Sequence, residues 1–162
     1  MEPVVSSVSI ARPREEIFEY LADVANHAEF TDHFLVEWHL LREDSYGEGA
    51  GARYRVKRGN RFDFGDFTLA EVDPPYRILE RGRSGKFNRV RTIGVWTLQD
   101  GPAGTTRVEY SFETQPVMLS DHLIDLLGRG KRKRKQAKAL RRLQAILEEN
   151  RDRGRRMTIA GS

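Results

Sequence analysis

The chain has 162 residues, of which 28 are Lys or Arg and 24 are Asp or Glu, giving a net charge of +4. It contains no cysteine, which excludes disulfides, thiolate metal ligands and cysteine nucleophiles. No apolar run approaches the roughly 18 to 20 residues that span a bilayer, and the first residues lack a signal-peptide pattern. We expect one cytoplasmic domain over residues 1–150 and a disordered basic tail at 151–162.

The positive charge is concentrated in the last part of the chain. Residues 1–128 hold 15 Lys or Arg and 21 Asp or Glu, whereas residues 129–162 hold 13 and 3. Nine of the fourteen residues from 129 to 142 are cationic and none is acidic. Such a block either contacts the phosphates of RNA or of an anionic membrane, or forms a solvated helix face opposite an acidic body. Its candidate surface residues are Arg129, Lys131, Arg132, Lys133, Arg134 and Lys135.

The beginning of the chain predicts a strand followed by two short helices. Apolar and polar residues alternate over residues 4–10, as is typical of a strand. Pro13 suits the first turn of a helix, where Glu15 and Glu16 favour the positive end of the helix dipole. A second helical turn is expected at about residues 26–30.

Strand patterns dominate the next eighty or so residues, and tight turns join them. The glycine-rich stretch at 47–51 is a turn rather than a phosphate loop, because it opens an alternating strand and not a helix. A hairpin turn is expected at 58–60. The second predicted strand places four residues on one face and four on the other, and these are Phe34, Val36, Trp38 and Leu40 against Leu35, Glu37, His39 and Leu41.

A strand at 62–72 contains a conflict of parity. Phe64 and Phe67 would point to opposite faces of a regular strand, although both are large and apolar. A β-bulge near Gly65 and Asp66 would place them on one face. With three further strands that end at Thr114, the sequence predicts about seven mostly antiparallel strands.

Residues 119–150 form a long helical segment with two apolar stripes. At 100° per residue, the stripe that begins at Leu119 is turned by about 90° from the stripe of Leu140 and Leu143. Gly128 and Gly130 lie between the two stripes, and glycine is a weak helix residue. We therefore predict a short helix at about 120–127, as a lid over a cavity mouth, and a separate long helix from Arg129.

This order of elements resembles the helix-grip fold of the START-like (SRPBCC) superfamily. That superfamily includes birch-pollen-allergen-like proteins and the polyketide cyclase/dehydrase and lipid-transport group. The resemblance implies an α+β fold in which a seven-stranded antiparallel sheet curves around a long C-terminal helix. The residues that carry it are 11–23 with Phe30, the glycine turn and Arg53-Tyr54, Asp73-Pro74-Pro75, and Leu140, Leu143 and Leu147 with Glu148.

The resemblance also implies a mostly apolar cavity between the sheet and the helix, which binds a lipid, a polyketide or another hydrophobic molecule. We expect no cofactor. The sequence offers more large aromatic side chains than one helix stripe would cover, although these rings could also form a filled core. The candidate cavity residues are Trp38, Tyr54, Phe64, Phe67, Trp96, Tyr110, Phe112, Leu123 and Leu127.

Catalytic residues are not identified by any motif. A cyclase or dehydratase of this fold would need a proton donor or acceptor in the cavity, held near neutral pKa by burial. Candidates for that role are Glu37, His39, Tyr54, Asp66 and Tyr110. The histidines match no standard metal-ligand spacing, so we expect no metal site.

Three functions remain open from the sequence. The first is a carrier or sensor of a hydrophobic small molecule, and the second is an enzyme that uses the same cavity. The third is contact with RNA, the ribosome or an anionic membrane through residues 129–142. The sequence is compatible with a monomer or a homodimer.

Overall fold

The computed structural model describes residues 2–58 and 61–159. Residues 59 and 60, in the predicted hairpin turn, and residues 160–162, in the predicted tail, lie outside this part. The described chain forms one antiparallel sheet with the strand order β1-β7-β6-β5-β4-β3-β2. Its seven strands are β1 (Val4–Ile10), β2 (Leu35–Leu40), β3 (Gly51–Arg58), β4 (Arg61–Asp73), β5 (Arg77–Ser84), β6 (Val90–Asp100) and β7 (Thr106–Gln115).

Three α-helices complete the fold. They are α1 (Arg14–Ala22), α2 (His27–Thr31) and α3 (Leu119–Glu149), and a 3₁₀ turn at Val24–Asn26 joins the first two. Because β1 and β2 lie at opposite edges of the sheet, the segment with α1 and α2 must cross from one edge to the other. The curved sheet, the two short helices after β1 and the long last helix confirm the predicted helix-grip fold.

The hydrophobic core lies where α1, α2 and the second half of α3 meet the concave face of the sheet. Burial of these side chains is the main favourable contribution to folding, at about 1.5–3 kcal/mol for each large residue. The fully or almost fully buried residues include Ile10, Ile17, Phe18, Leu21, Phe30, Leu69, Ile78, Leu98, Leu140, Leu143 and Ile146.

The β2 strand contains a bulge that the alternating pattern did not predict. Glu37 adopts a left-handed backbone conformation with φ of 53°, and the pairing of β2 with β3 shifts between Val36 and His39. The extra residue places Leu35 on the same side as Trp38, so the predicted assignment of Leu35 to the other face is wrong.

The bulge predicted near Gly65 and Asp66 is absent. Pairing of β3 with β4 runs without a shift through this region, and the irregularity of β4 lies between Leu69 and Glu71, on the side of β5. A Cβ on Gly65 would come within 2.7 Å of the Tyr54 ring. Gly65 therefore allows the Tyr54 ring to lie close to the backbone of β4, and it is paired regularly and forms no bulge.

The long helix α3 is continuous, so the predicted break into a lid and a second helix is wrong. Both Gly128 and Gly130 lie inside it, and a Cβ at either position would meet open space. The predicted break would be needed only if both apolar stripes were buried. Instead, Leu119 and Leu123 are exposed, at 89% and 57%, and one straight helix needs to bury only its second half.

Residues 151–159 fold back onto α2 and the 3₁₀ turn before it, whereas the sequence predicted a disordered tail. The Met157 side chain is fully buried, and its N–H donates to the carbonyl of Ala25 at 3.1 Å. Arg153 forms an ion pair of 2.6 Å with Glu29, whose side chain is itself buried. The basic composition indicated a solvated tail, but the single apolar Met157 anchors the segment.

Arg142 connects this segment to the core. Its guanidinium donates to the carbonyl oxygens of Glu29 and Asp152, both at 3.0 Å, and pairs with Asp32. It also donates to Nδ1 of His33 at 3.2 Å, so the other ring nitrogen carries the proton that is donated to the carbonyl of Lys135 at 3.0 Å. Burial lowers the pKa of His33, as does the positive charge of Arg142, and His33 is therefore neutral at pH 7.

Candidate functional site: a cavity between the sheet and the long helix

A cavity of about 670 Å³ lies between the concave face of the sheet and α3. One end is closed by buried residues, among them His27, Phe30 and Glu80. At the other end the walls include the exposed side chains of Leu127 and Lys131. The cavity therefore has a closed end under α2 and a mouth beside the first half of α3, and its volume falls within the usual range for small-molecule sites.

Seven of the nine predicted cavity residues line this cavity. They are Trp38, Tyr54, Phe67, Trp96, Tyr110, Phe112 and Leu127.

Phe64 and Leu123 do not line the cavity. Phe64 lies on the outer face of β4, where it is 57% exposed, because the register passes through Gly65 without a bulge. The guanidinium of Arg55 lies 5.7 Å from the centre of the Phe64 ring. Leu123 is on the outer face of α3.

A buried carboxylate occupies the closed end of the cavity. Glu80, on β5, is only 6% exposed. Its Oε1 accepts a hydrogen bond of 2.7 Å from the indole N–H of Trp96, and its Oε2 accepts one of 3.0 Å from the hydroxyl of Tyr110. A Cβ on Gly94 would lie 2.6 Å from this Oε2 and 2.7 Å from the Tyr110 oxygen. Gly94 thus leaves the space in which the two groups meet.

His27 lies beside Glu80 at the closed end of the cavity. Its Nε2 is 2.8 Å from the carbonyl oxygen of Leu21, so this nitrogen carries a proton and donates it. Its Nδ1 is 3.7 Å from Oε1 of Glu80. The closed end of the cavity therefore contains two side chains of the types that carry out general acid–base chemistry.

The two tyrosines of the cavity are protonated at neutral pH. Burial raises the pKa of Tyr110 well above its ordinary value, and the nearby Glu80 raises it further. Burial also raises the pKa of Tyr54, with a smaller contribution from the charges of Glu80 and Asp66. Both hydroxyls are therefore hydrogen-bond donors rather than bases.

The predicted acid–base candidates divide into two groups. Tyr54 and Tyr110 line the cavity, whereas the other three do not. Glu37 is exposed and paired with Arg55, His39 is exposed, and Asp66 accepts hydrogen bonds from the N–H of Arg83 and the amide of Asn88. Asp66 thus stabilises the connection between β5 and β6.

Glu80 and His27 are cavity residues that the sequence did not predict. A signal for Glu80 was present, because Ile78 and Glu80 have the same parity and Ile78 is a typical core residue. His27 precedes Phe30 by three residues, which places both on one face of a helix. Neither signal separates a cavity residue from an ordinary polar residue of the core.

The basic block is partly tied into the fold. Arg129 donates to the carbonyls of Glu2 and Pro3, and Arg132 pairs with Asp125 at 2.6 Å. By contrast, the exposed side chains of Lys131, Lys133 and Arg134 form no ion pair within the described part of the chain. No helix in residues 2–58 and 61–159 is both long and apolar enough to cross a membrane, and these residues contain no cluster suited to a metal ion.

Comparison with solved structures identifies the same architecture in other proteins. The KanY protein has a TM-score of 0.72 at 15% identity, with 90% of this chain and 96% of that chain covered. A Thermus thermophilus protein, TTHA0849, has a TM-score of 0.65 at 15% identity, with 88% and 94% covered. DynU16, a protein from the dynemicin biosynthetic locus, has a TM-score of 0.64 at 23% identity over 95% of this chain, which spans about half the length of DynU16.

No curated protein matches this sequence. A protein-family model described as "Polyketide cyclase / dehydrase and lipid transport" matches residues 1–148, nearly the whole chain. This match supports a general role in hydrophobic ligand binding or in cyclase-type chemistry. The chain belongs to the polyketide cyclase/dehydrase and lipid-transport family of the START-like superfamily.

Proposed function

We propose that the protein is a carrier or sensor that binds a hydrophobic small molecule in the cavity between the sheet and α3. The observation that carries this proposal is the cavity of about 670 Å³, closed at one end and walled by aromatic side chains. A site of this shape removes most of a small apolar ligand from water, and each buried methylene group contributes about 0.8 kcal/mol.

Native mass spectrometry of the purified protein tests the proposal. We expect an added mass that organic solvent extracts, or uptake of a hydrophobic ligand such as 1-decanol. Thr92, on β6, is buried and lines the cavity, so the change Thr92→Phe should fill the space and reduce binding. Thr97 lies on the opposite face of the same strand, and Thr97→Phe serves as the matched control. Equal binding by all three proteins would place the ligand elsewhere, and no binding by any would contradict the proposal.

A second candidate function is general acid–base catalysis on a ligand in the same cavity. It is favoured by the buried pair of Glu80 and His27, two side chains of the acid–base type that line the closed end of the cavity. A simple probe is the exchange of α-protons of phenylacetone in heavy water, followed by NMR. Acceleration by the wild type that Glu80→Gln removes would support an enzyme. No acceleration by the wild type would count against this type of proton transfer.

We also propose, as a third function, that the outer face of α3 contacts an anionic membrane. Leu119, Leu123 and Leu126 form an exposed apolar stripe, and the same face continues into Lys133 and Arg134. A helix with adjacent apolar and basic surfaces suits the boundary between lipid headgroups and acyl chains. RNA would pair with the basic side chains but would leave the exposed leucines without an apolar partner.

Flotation with vesicles that contain phosphatidylserine tests this contact. We expect binding that Leu123→Ser with Leu126→Ser weakens and that high salt reduces. Retention on heparin without flotation, lost when Lys131, Lys133 and Lys135 become Gln, would indicate RNA instead.

A further inference from the structure

Arg132 is a cationic side chain in the wall of a cavity that is otherwise rich in aromatic rings. It lies on α3 and lines both the main cavity and an adjoining pocket of about 440 Å³. Its side chain is 20% exposed, so it is neither buried in the core nor extended into solvent. Its position is one helical turn closer to the mouth than Gln136, which donates to the carbonyl of Tyr110 at 2.9 Å.

The guanidinium of Arg132 is held in a fixed orientation. Its Nη1 donates to Oδ1 of Asp125 at 2.6 Å, and the same oxygen accepts a hydrogen bond of 2.7 Å from the hydroxyl of Thr114. The guanidinium carbon lies 5.6 Å from the centre of the Phe112 ring. Although burial of Asp125 opposes its ionisation, the hydrogen bonds from Arg132 and Thr114 lower its pKa, so the support is a stable carboxylate.

Most of the donor capacity of Arg132 is unused. A guanidinium carries five N–H donors, and within the described part of the chain only Nη1 makes a hydrogen bond. A second edge of the planar group is therefore left for a partner in the cavity. Because Asp125 and Phe112 fix the plane, little conformational entropy would be lost when that partner binds.

Other cations lie near Arg132 in the cavity wall. The lining includes four cationic side chains, from Lys57, Lys131, Arg132 and Lys135, and only two carboxylates, from Asp63 and Glu80. This balance is opposite to that of residues 1–128, in which acidic residues exceed basic ones. Positive charge is thus concentrated at the walls near the mouth.

We propose that Arg132 binds the carboxylate of an amphipathic ligand whose apolar part lies against the aromatic rings of the cavity. This inference rests on the proposed ligand-binding function and narrows it to hydrophobic carboxylic acids. A planar guanidinium matches a carboxylate with two parallel hydrogen bonds, and the contacts with Asp125 and Phe112 help to keep the group aligned. The acid would then lie with its head near the mouth and its tail toward the closed end.

The carboxylate of Glu80 does not conflict with this orientation. Glu80 and Phe112 are in register through Gly94, but they lie two strands apart, on β5 and β7. Two strand spacings amount to roughly 9–10 Å. The carboxylate of Glu80 also turns toward the closed end, where it accepts hydrogen bonds from Trp96 and Tyr110, while a ligand head on Arg132 would lie over Phe112.

The test compares decanoic acid with 1-decanol by isothermal titration calorimetry. The wild type should bind the acid more tightly than the alcohol, and Arg132→Gln should reduce that advantage by about tenfold. Arg132→Lys, which keeps the charge but loses the planar fork, should reduce it less. Arg134→Gln is the matched control, because Arg134 is exposed on the outer face of the same helix.

Each outcome separates the acid site from the proposed function. If the wild type binds the alcohol and the acid equally well, the carboxylate site is refuted, but ligand binding in the hydrophobic cavity is supported. If it binds neither ligand, the proposed ligand-binding function is itself refuted. Equal weakening of both ligands by Arg132→Gln would show a structural role for Arg132 and refute the inference. If that variant unfolds because Asp125 is left unpaired, the double variant Arg132→Gln with Asp125→Asn replaces it, and it should bind alcohol while losing the acid preference.

Discussion

Removal of the Tyr110 hydroxyl tests the polar cluster at the closed end of the cavity. Tyr110→Phe deletes only the group that donates to Oε2 of Glu80 at 3.0 Å. A hydrogen bond to a charged group contributes about 1.5–3 kcal/mol to stability, so the free energy of unfolding should fall by about that amount. At roughly 2–4 °C per kcal/mol for a chain of this size, the melting temperature should fall by about 3–12 °C.

Tyr54→Phe is the matched control for this change. Tyr54 is also buried and lines the same cavity, but its hydroxyl makes no hydrogen bond within the described part of the chain. Its removal should change the free energy of unfolding by no more than about 0.5 kcal/mol. Urea unfolding at pH 7, followed by circular dichroism, gives both values.

A double-mutant cycle with Glu80→Gln identifies the charge as the cause. The Gln side chain can still accept from the indole of Trp96, but a neutral hydrogen bond contributes only about 0.5–1.5 kcal/mol. The effect of Tyr110→Phe should therefore be smaller in the Gln background, with a coupling energy of about 1 kcal/mol. Equal losses for the two tyrosine variants, or a coupling energy near zero, would refute the proposed cluster.

Three further predictions concern the helices and the C-terminal segment. Met157→Ala should lower the free energy of unfolding, measured in urea, by about 2–5 kcal/mol, because the side chain is fully buried. The control Ile159→Ala, at a residue that is 62% exposed, should change it by less than about 0.5 kcal/mol. Similar effects of the two changes would contradict docking of the C-terminal segment. Gly128→Ala should raise thermal stability by up to about 1 kcal/mol, since α3 is continuous and its Cβ meets open space; a loss would indicate a break in α3. The pKa of His33 is lowered in the folded state. The contribution of this neutral ring to the free energy of unfolding should therefore be fully present above the unfolded pKa of about 6.5. It should decline as the pH falls below that value, by up to about 1.4 kcal/mol per pH unit. Urea unfolding between about pH 5 and 7 should show that decline for the wild type and not for His33→Gln.

The strands and helices follow from local patterns that the sequence displays directly. Alternation over residues 4–10 predicted β1 with its observed ends, and the aromatic residues at even positions of β6 and β7 reach the cavity as expected. These positions depend only on the two-residue period of a strand and on which face is apolar. The family resemblance added the cavity itself, which periodicity cannot distinguish from a filled core.

The errors arose where a feature depends on contacts between distant residues. A bulge moved Leu35 to the cavity side of β2, and the absence of a bulge kept Phe64 on the outer face of β4. Leu119 and Leu123 have a helical spacing that predicts burial, although the chain offers nothing to cover them within its described part. Pairing of Glu80 with Tyr110 and Trp96 joins three strands, and no local window of sequence contains it.

The folded-back C-terminal segment also has a consequence for how the protein is handled. Met157 contacts the 3₁₀ turn at Ala25, and Arg153 pairs with Glu29 of α2, so the segment holds both elements from outside. The same short helix carries His27 into the cavity from its inner side. Loss of residues 151–162 would therefore remove contacts that position His27, so ligand measurements need a protein that retains them.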